Sequence, residues 1–254
     1  MWCFLINLVD TLIKVPKINV LFKLNNFTVY ARKYKLQLQK TQMTNIFIII
    51  AYLIGALPSS VWIGEYFYDT DVREHGSGNA GATNTFRVLG KKAGTIVLIL
   101  DILKAWVAVT TLSYFADNQS IEFKLALGLV AVLGHIFPIY TGFRGGKGIA
   151  SLLGVIIAIQ PMAALLSMGI FLITLLISRF VSLSSMLAAC AFPALLYFYF
   201  EETNHSLIIF SVMVAVLVIF THKKNIERLF NKEESKVTIL KKTFSRKDKK
   251  SKIN

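Results

Sequence analysis

An all-α polytopic membrane protein is the fold class that the sequence predicts, on the basis of its hydropathy, its low charge content and the length of its apolar segments. The mean hydropathy is +0.59. Only 17% of the residues are charged, whereas a soluble domain carries about 25%. Several apolar segments reach the roughly 17–25 residues that a helix needs to cross a bilayer. We therefore expect one membrane domain with about seven transmembrane helices.

Seven apolar segments lie between polar, proline or glycine residues. They are residues 45–64, 93–115, 123–141, 149–159, 162–178, 182–200 and 205–221. The fourth segment is too short to span comfortably, so we expect a short or broken helix there; if it were re-entrant, the number of crossings would change. Because such a helix is usually tolerated only beside protein or a water-filled cavity, residues 148–161 are a candidate functional region.

The distribution of Lys and Arg predicts the orientation in the membrane. With seven crossings, the loops on one side hold Arg73, Arg87, Lys91, Lys92, Arg144, Lys147 and Arg179. The opposite loops, residues 116–120 and 201–204, hold no Lys or Arg. The positive-inside rule therefore predicts an outside N-terminus and a cytoplasmic C-terminus. Both glycine-rich loops then lie on the cytoplasmic face.

The first 42 residues conflict with this orientation, because they are basic although they would lie outside. Two interpretations compete: Met43 is the true first residue, or residues 1–42 form an amphipathic segment on the membrane. We favour Met43, since removing the extension resolves the conflict. Residues 43–237 then form the integral-membrane domain. Residues 238–254 are a Lys-rich cytoplasmic tail, which we expect to be disordered against anionic lipid.

The net charge of +14 does not indicate nucleic-acid binding. The basic residues collect at the two ends and in short loops, whereas a nucleic-acid-binding protein places them on a folded soluble face. The only cysteines are Cys3 and Cys190, which form no disulfide framework or metal-binding motif. We expect no metal and no cofactor. The lipid bilayer is the expected partner, and a monomer is compatible with the sequence.

The first motif is a run of small and polar residues, Gly76–Asn84, followed by Arg87. Small residues allow tight turns, and the Ser, Asn and Thr side chains supply short-range hydrogen bonds. The guanidinium of Arg87 has a planar shape suited to a phosphate. The alternative interpretation is a plain loop in which Asn84 caps a helix.

The second motif places Arg144 and Lys147 around the Gly145-Gly146 pair, directly before the short apolar segment. Glycine N–H groups can close around an anion that the two cations neutralise. The start of a helix near Gly148 would add partial positive charge. The spacing is not that of a nucleotide-binding P-loop. The alternative interpretation is a turn with cytoplasmic cations.

Polar residues inside or beside the apolar segments form a third group. Asp101 and Lys104 share a helix face at spacing i and i+3, as a structural ion pair or as a functional polar lining. A lone histidine such as His135 is more often a packing residue than a catalyst, and no carboxylate lies near it in sequence. His222 and Asn225 also share a helix face, although the basic residues around them fit a stop-transfer flank.

Three segments together resemble the bacterial membrane glycerol-3-phosphate acyltransferases of the PlsY type. The matching segments are GSGNAGATNTFR at Gly76–Arg87, GHIFPIYTGFRGGKGIAS at Gly134–Ser151 and HKKNIERL at His222–Leu229. The shorter segments LDILKA and SRFVSLSS are also similar to the family. The resemblance departs from the family pattern at Lys232 and Ser235, where glycine and proline are usual.

The resemblance implies transfer of a fatty acyl group from acyl-phosphate to the sn-1 hydroxyl of glycerol 3-phosphate. The products would be lysophosphatidic acid and phosphate, in the first step of membrane phospholipid synthesis. It implies a catalytic role for Ser77, Arg87, Lys147, His222 and Asn225, and a structural role for Glu234. The substrate-binding residues would be Gly76, Gly78, Asn79, Thr83, Asn84, Lys104, His135, Arg144, Gly145, Gly146 and Gly148.

Two other classes of function remain as alternatives. A small transporter of a phosphorylated solute would use Asp101, Lys104 and the short helix as its route, but the two halves of the sequence show no convincing similarity. A non-catalytic scaffold would use the basic tail to bind lipid, which leaves the two glycine motifs without a role. The sequence therefore favours the acyltransferase.

Overall fold

The computed structural model describes residues 32–34 and 44–237, and every regular element within them is helical. We number the helices from residue 44 onward in chain order. They are α1 (residues 44–55), α2 (Ser59–Tyr68), α3 (Ala82–Val88), α4 (Lys91–Phe115), α5 (Ile121–Ile136), α6 (Ile149–Ile159), α7 (Pro161–Ser178), α8 (Val181–Ala194), α9 (His205–Thr221) and α10 (Lys223–Phe230). The predicted extension, except residues 32–34, and the predicted tail 238–254 lie outside the described residues.

Short elements complete the chain trace. The 3₁₀ helices Val72–Glu74 and Ile139–Thr141 precede the two glycine-rich motifs, and α8 continues as a π-helical turn over Leu195–Tyr199. Pro58 separates α1 from α2 because proline has no N–H to donate and its ring displaces the preceding turn. The break leaves the carbonyl of Leu57 outside regular helical bonding.

Five stretches of the described residues are long and apolar enough to cross a membrane. They are Thr44–Tyr68, Lys91–Phe115, Ile121–Thr141, Pro161–Ser178 and Val181–Tyr199. A sixth arises when α9 and α10, which meet at a 58° bend, are counted together. The predicted all-helical membrane architecture is thus confirmed, while the number seven stays a prediction. Helix α6 has 11 residues and is about 16 Å long, roughly half of the hydrocarbon core.

Helix α6 packs against α4 through direct backbone contact. A Cβ atom added at Gly154 would lie 2.1 Å from the carbonyl oxygen of Ile102, so only glycine permits this approach. Leu152 and Val155 are buried on the same helix. This contact fixes the position of the short helix and therefore that of the glycine-rich loop at its N-terminal end.

Helix α1 packs equally closely against α5. A Cβ atom at Gly55 would lie 2.0 Å from the carbonyl oxygen of Ala131, and one at Gly134 would lie 2.4 Å from that of Tyr52. The hydroxyl of Tyr52 also donates a hydrogen bond to the carbonyl of Phe137 at 2.8 Å. These contacts bring the C-terminal end of α5 beside the break between α1 and α2.

Gly154→Ala should destabilise the protein, because the added methyl group meets backbone that cannot move aside. Overpacking of this kind costs about 1–3 kcal/mol, so we expect the melting temperature in detergent to fall by several degrees. Gly169→Ala is the matched control, since no atom lies within 4 Å of the added Cβ. Equal melting temperatures for the two variants would contradict the close approach of α6 to α4.

Candidate functional site

The first glycine loop, residues 76–81, is held by the buried side chain of Asn84. The Nδ2 atom donates hydrogen bonds to the carbonyls of Val72 at 2.7 Å and His75 at 3.0 Å, and Oδ1 accepts one from the N–H of Ser77 at 2.9 Å. The left-handed backbone of Gly76, with a φ of +64°, allows the turn. The exposed Ser77 is therefore fixed through its backbone N–H.

Helix α3 follows this loop and carries Arg87. Its first turn is tied down by the Thr85 hydroxyl, which donates to the carbonyl of Gly81 at 3.1 Å. Thr83 and Arg87 are exposed, as is Gly78, and Asn79 is half-buried. Of the predicted binding residues in this motif, Asn84 is the one whose amide holds the loop, through three hydrogen bonds.

The second glycine loop, residues 142–148, folds back onto the end of α5. The N–H of Gly145 donates to the carbonyl of Ile136 at 3.2 Å, and that of Gly146 to the carbonyl of His135 at 3.1 Å. The expectation that these two N–H groups close around an anion is therefore wrong, because both are already bonded within the fold. Their missing side chains instead allow close approach: a Cβ atom at Gly146 would lie 2.1 Å from His135 Nε2.

The two glycine loops meet each other. The N–H of Ala80 donates to the carbonyl of Gly145 at 3.4 Å, and a Cβ atom at Gly81 would lie 4.0 Å from the Cα of Gly146. Gly148 then begins α6 with a φ of +80°. The sequence predicted that these motifs share one face of the membrane, and the structure brings them into contact.

A chain of hydrogen bonds joins the second loop to the C-terminal motif. The ammonium group of Lys147 donates to Oδ1 of Asn225, and Nδ2 of Asn225 donates to Oε1 of Glu234 at 2.6 Å. Glu234 also accepts from the hydroxyl of Ser182 at 2.7 Å and from Nε of Arg228 at 2.8 Å. The carboxylate thus orients the amide, and the amide holds the lysine.

His222 lies one helical turn before Asn225 and is buried. Its Nδ1 atom lies 2.8 Å from the carbonyl oxygen of Val218. A proton on Nδ1 satisfies that carbonyl, which leaves Nε2 as the unprotonated nitrogen of the neutral ring. The predicted pairing of His222 with Asn225 on one surface agrees with their positions at the α9–α10 bend.

The electrostatic environment shifts the pKa values of Lys147 and Glu234. Burial has the largest effect on Lys147 and lowers its pKa to about 8; Arg228 and Arg87 act in the same direction, while Glu234 opposes them. Burial acts to raise the pKa of Glu234, but the hydrogen bonds that its carboxylate accepts outweigh burial, so the pKa lies below the ordinary 4.5. At neutral pH the site therefore holds a carboxylate and a readily deprotonated ammonium group.

The departure at Lys232 does not prevent this geometry. Lys232 adopts a φ of +61°, in the left-handed region, where glycine would carry no steric penalty. The N–H groups of Glu233 and Glu234 both donate to the carbonyl of Arg228, at 2.7 and 3.1 Å. This turn brings Glu234 back to Asn225, with Ser235 beyond it.

Lys104 and His135, which the sequence predicted to bind substrate, lie buried behind the second loop. Asp101 Oδ1 lies 2.8 Å from Lys104 Nζ and 3.6 Å from His135 Nδ1, and the Ser59 hydroxyl donates to the same oxygen at 3.1 Å. Sequence spacing paired Asp101 with Lys104 but missed its proximity to His135, because the two residues belong to different helices. The presence of a carboxylate inside an apolar segment was the sequence signal that Asp101 would have further polar neighbours.

Arg144, also predicted to bind substrate, is exposed beside a separate ion pair. Its charge and the hydrogen bond from Arg73 both lower the pKa of Asp71, the hydrogen bond more strongly. Arg73 Nη2 lies 2.6 Å from Asp71 Oδ2, and Nη1 donates to the carbonyl of Thr141 at 3.0 Å. Arg73 thus links the segment before the first loop to the segment before the second.

Comparison with known proteins gives consistent matches over the membrane domain. A family model described as glycerol-3-phosphate acyltransferase matches residues 45–232. The glycerol-3-phosphate acyltransferase of Listeria welshimeri is 48% identical over 189 residues, which cover 74% of this chain and 94% of that protein. The protein of that name from Chlorobaculum tepidum is 40% identical over 220 residues, with 75% and 95% covered.

The fold is also similar to solved structures. The crystal structure of PlsY, an integral membrane glycerol 3-phosphate acyltransferase, in its glycerol 3-phosphate form superposes with a TM-score of 0.71. It is 34% identical and covers 76% of this chain and 95% of that chain. The lysophosphatidic acid form gives a TM-score of 0.68 at the same identity, with 76% and 94% covered.

Glu234→Gln should remove a pH-dependent part of the stability. Because the folded-state pKa of Glu234 is lowered, its contribution is present above about pH 4.5 and is lost as the pH falls through the folded value. We expect the wild-type melting temperature to exceed that of the variant at pH 7, and the difference to shrink towards zero once the pH lies below the folded-state pKa of Glu234. The exposed Glu233→Gln should retain the wild-type pH response. Parallel curves for wild type and Glu234→Gln would contradict the role of this carboxylate.

Proposed function

We propose that this chain, which belongs to the glycerol-3-phosphate acyltransferase family, takes its acyl group from an acyl-phosphate and transfers it to the sn-1 hydroxyl of glycerol 3-phosphate. The family assigns it to glycerol 3-phosphate acylation in phospholipid synthesis. The acyl-phosphate donor, the position acylated and the roles of individual residues are our proposal. The expected products are lysophosphatidic acid and inorganic phosphate.

The observation that carries the proposal is the junction of the two glycine loops next to the Lys147–Asn225–Glu234 chain. Donor and acceptor each bring a phosphate, and Arg87 and Lys147 are close enough for their charges to interact. Arginine binds phosphate through a planar pair of donors, and lysine binds it as a point charge. Two cations, one on the helix after the first glycine loop and one on the second glycine loop, therefore suit a reaction between two phosphorylated molecules.

The reaction needs little acid–base chemistry from the protein, because an acyl-phosphate is an activated mixed anhydride. The sn-1 oxygen attacks the carbonyl carbon, the bond from that carbon to the phosphate oxygen breaks, and inorganic phosphate leaves. We assign the hydroxyl proton to a phosphate oxygen of a substrate. Lys147 and Arg87 neutralise the charge that develops on the departing phosphate.

The remaining residues position the substrates. His222 offers Nε2, since Nδ1 is directed at the carbonyl of Val218, and the exposed Ser77 hydroxyl lies at the first loop. Both are suited to hydrogen bonds with the glycerol hydroxyls. An acylated Ser77 is the less favoured route, because activation of a serine needs an adjacent base.

The membrane placement is part of the proposal. Counting the short helix α6 as a crossing gives seven, with an outside N-terminus, a cytoplasmic C-terminus and the site on the cytoplasmic face of a bacterial membrane. The Arg and Lys residues of the loops near the site support this orientation. We further propose that residues 43–237 form the acyltransferase domain, which agrees in extent with the family match over residues 45–232, and that the domain acts as a monomer.

The donor is tested with the purified full chain in detergent. We expect palmitoyl-phosphate and labelled glycerol 3-phosphate to give labelled lysophosphatidic acid and one equivalent of phosphate, because the anhydride supplies the activation. Palmitoyl-CoA and palmitoyl-acyl carrier protein should give none. Activity with a thioester alone, while the acyl-phosphate is shown to be intact, would overturn the donor assignment and leave the acyltransferase family untouched.

The pH profile should report the charge of Lys147. Because burial lowers its pKa to about 8, the ammonium form decreases above that pH, and we expect kcat/KM to fall between about pH 8 and 9.5. Lys147→Arg should lower kcat/KM but remove this fall, since arginine stays charged. Lys147→Met should cost about 10²–10³ in kcat/KM, the usual effect of losing one transition-state contact. An unchanged alkaline fall in Lys147→Arg would exclude Lys147 as its source.

A further inference from the structure

The pair formed by Asp101 and Lys104 is buried within the candidate span α4, with side chains that are 2% and 6% exposed. Charges at this depth are costly and usually have a specific partner. Lys104 has two partners, because its ammonium group also donates to the carbonyl of Leu57 at 2.8 Å. That carbonyl lies at the helix break before Pro58 and also accepts a hydrogen bond from the N–H of Ser59 at 3.1 Å, so the lysine links α4 to the break.

The carboxylate of Asp101 has a further neighbour in His135. Asp101 Oδ1 lies 3.6 Å from His135 Nδ1, and Nδ1 is buried without a hydrogen-bond partner in the structure. The distance exceeds that of a direct hydrogen bond. A cavity of about 10 Å³ lies between Ser59, Asp101, Lys104 and His135, which is about the space that one water molecule requires.

The Nε2–Cε1 edge of the same imidazole supports the second glycine loop. A Cβ atom at Gly146 would lie 2.1 Å from Nε2 and 3.0 Å from Cε1 of His135. The loop backbone therefore rests against the ring, and Lys147 follows directly. The orientation of the ring consequently determines where the loop lies relative to the first glycine loop.

We propose that Asp101 and His135 are positioning residues for the second glycine loop. Asp101 orients the imidazole through one water molecule in this cavity, and the imidazole sets the position of Gly146 and Lys147 in the site. Neither side chain touches a substrate in this arrangement. The inference rests on the proposed function, in which this loop holds a substrate phosphate.

The contact between ring and loop is tested by a double-mutant cycle. Gly146→Ala drives a methyl group into the His135 ring, so we expect kcat/KM to fall at least tenfold, mainly through KM for one or both phosphate substrates. His135→Ala removes the ring and leaves Asp101 paired with Lys104; it should cost about three- to tenfold. The double variant should be at least threefold more active than Gly146→Ala alone. Recovery is partial, because the Ala80 carbonyl lies 3.0 Å from the new Cβ.

Gly145→Ala is the matched control for this cycle. A Cβ atom there would meet backbone, at 2.1 Å from the carbonyl oxygen of His135 and 2.6 Å from that of Ile136. Removal of the His135 side chain leaves both obstacles in place. We therefore expect no recovery when His135→Ala is added to Gly145→Ala. Recovery in both cycles would indicate general loosening of the fold and would overturn the proposal.

The role of Asp101 is tested in a second cycle. Asp101→Asn is made together with Lys104→Met so that no unpaired buried charge is created. This pair of changes should raise KM about as much as His135→Ala does. In the His135→Ala background, the same pair should raise KM by less than a further twofold. Multiplicative effects would show that Asp101 acts independently of His135, against the proposal.

Folding and function are separated in the same experiments. If Gly146→Ala aggregates and the double variant with His135→Ala is recovered as a monodisperse species, the clash with the ring is supported through folding; if both aggregate, the Asp101 cycle decides. A wild-type protein without acyl-phosphate activity would refute the donor assignment. If the wild type is active but the effects are multiplicative in the Gly146–His135 cycle and in the Asp101–His135 cycle, the positioning role alone is refuted.

Discussion

The hydrogen-bond chain from Lys147 through Asn225 to Glu234 is the interaction on which the arrangement of the site depends. It joins the loop before the N-terminus of α6 to the segment after α10, although these two segments are far apart in sequence. A lysine removed from water by burial needs an acceptor, and the amide oxygen of Asn225 supplies one. An amide can point either way, so the carboxylate of Glu234 is what fixes the acceptor oxygen towards the lysine.

The sequence predicted the all-helical membrane class, the family and the two glycine loops because these depend on composition and local motifs. It did not predict the proximity of Asp101 to His135, since that distance is set by how α4 and α5 pack. It also gave the wrong function to the N–H groups of Gly145 and Gly146. A glycine pair beside cations is typical of an anion site, but local sequence does not show whether carbonyls at the end of α5 will accept those N–H groups.

The turn before Glu234 also could not be predicted from local sequence, because here the local preference is against the structure that forms. Lys232 occupies a left-handed position that glycine would occupy without strain, so local preference argues against the turn. Tertiary contacts override it, because the carboxylate of Glu234 accepts hydrogen bonds from three side chains once the turn forms. Strain of about 1 kcal/mol in one residue is outweighed when the alternative leaves a buried amide and a guanidinium without their acceptor.

The glycines of this protein act mainly by letting backbone approach other groups. Gly154 brings α6 against α4, Gly134 brings α5 against α1, and Gly146 brings the loop against the imidazole of His135. The first two contacts place one helix backbone directly against another, and the third places the loop backbone against a buried ring. The position of Lys147 therefore depends on packing distances between helices, and a substrate phosphate held there would be placed by the backbone of the bundle as much as by the charge of the lysine.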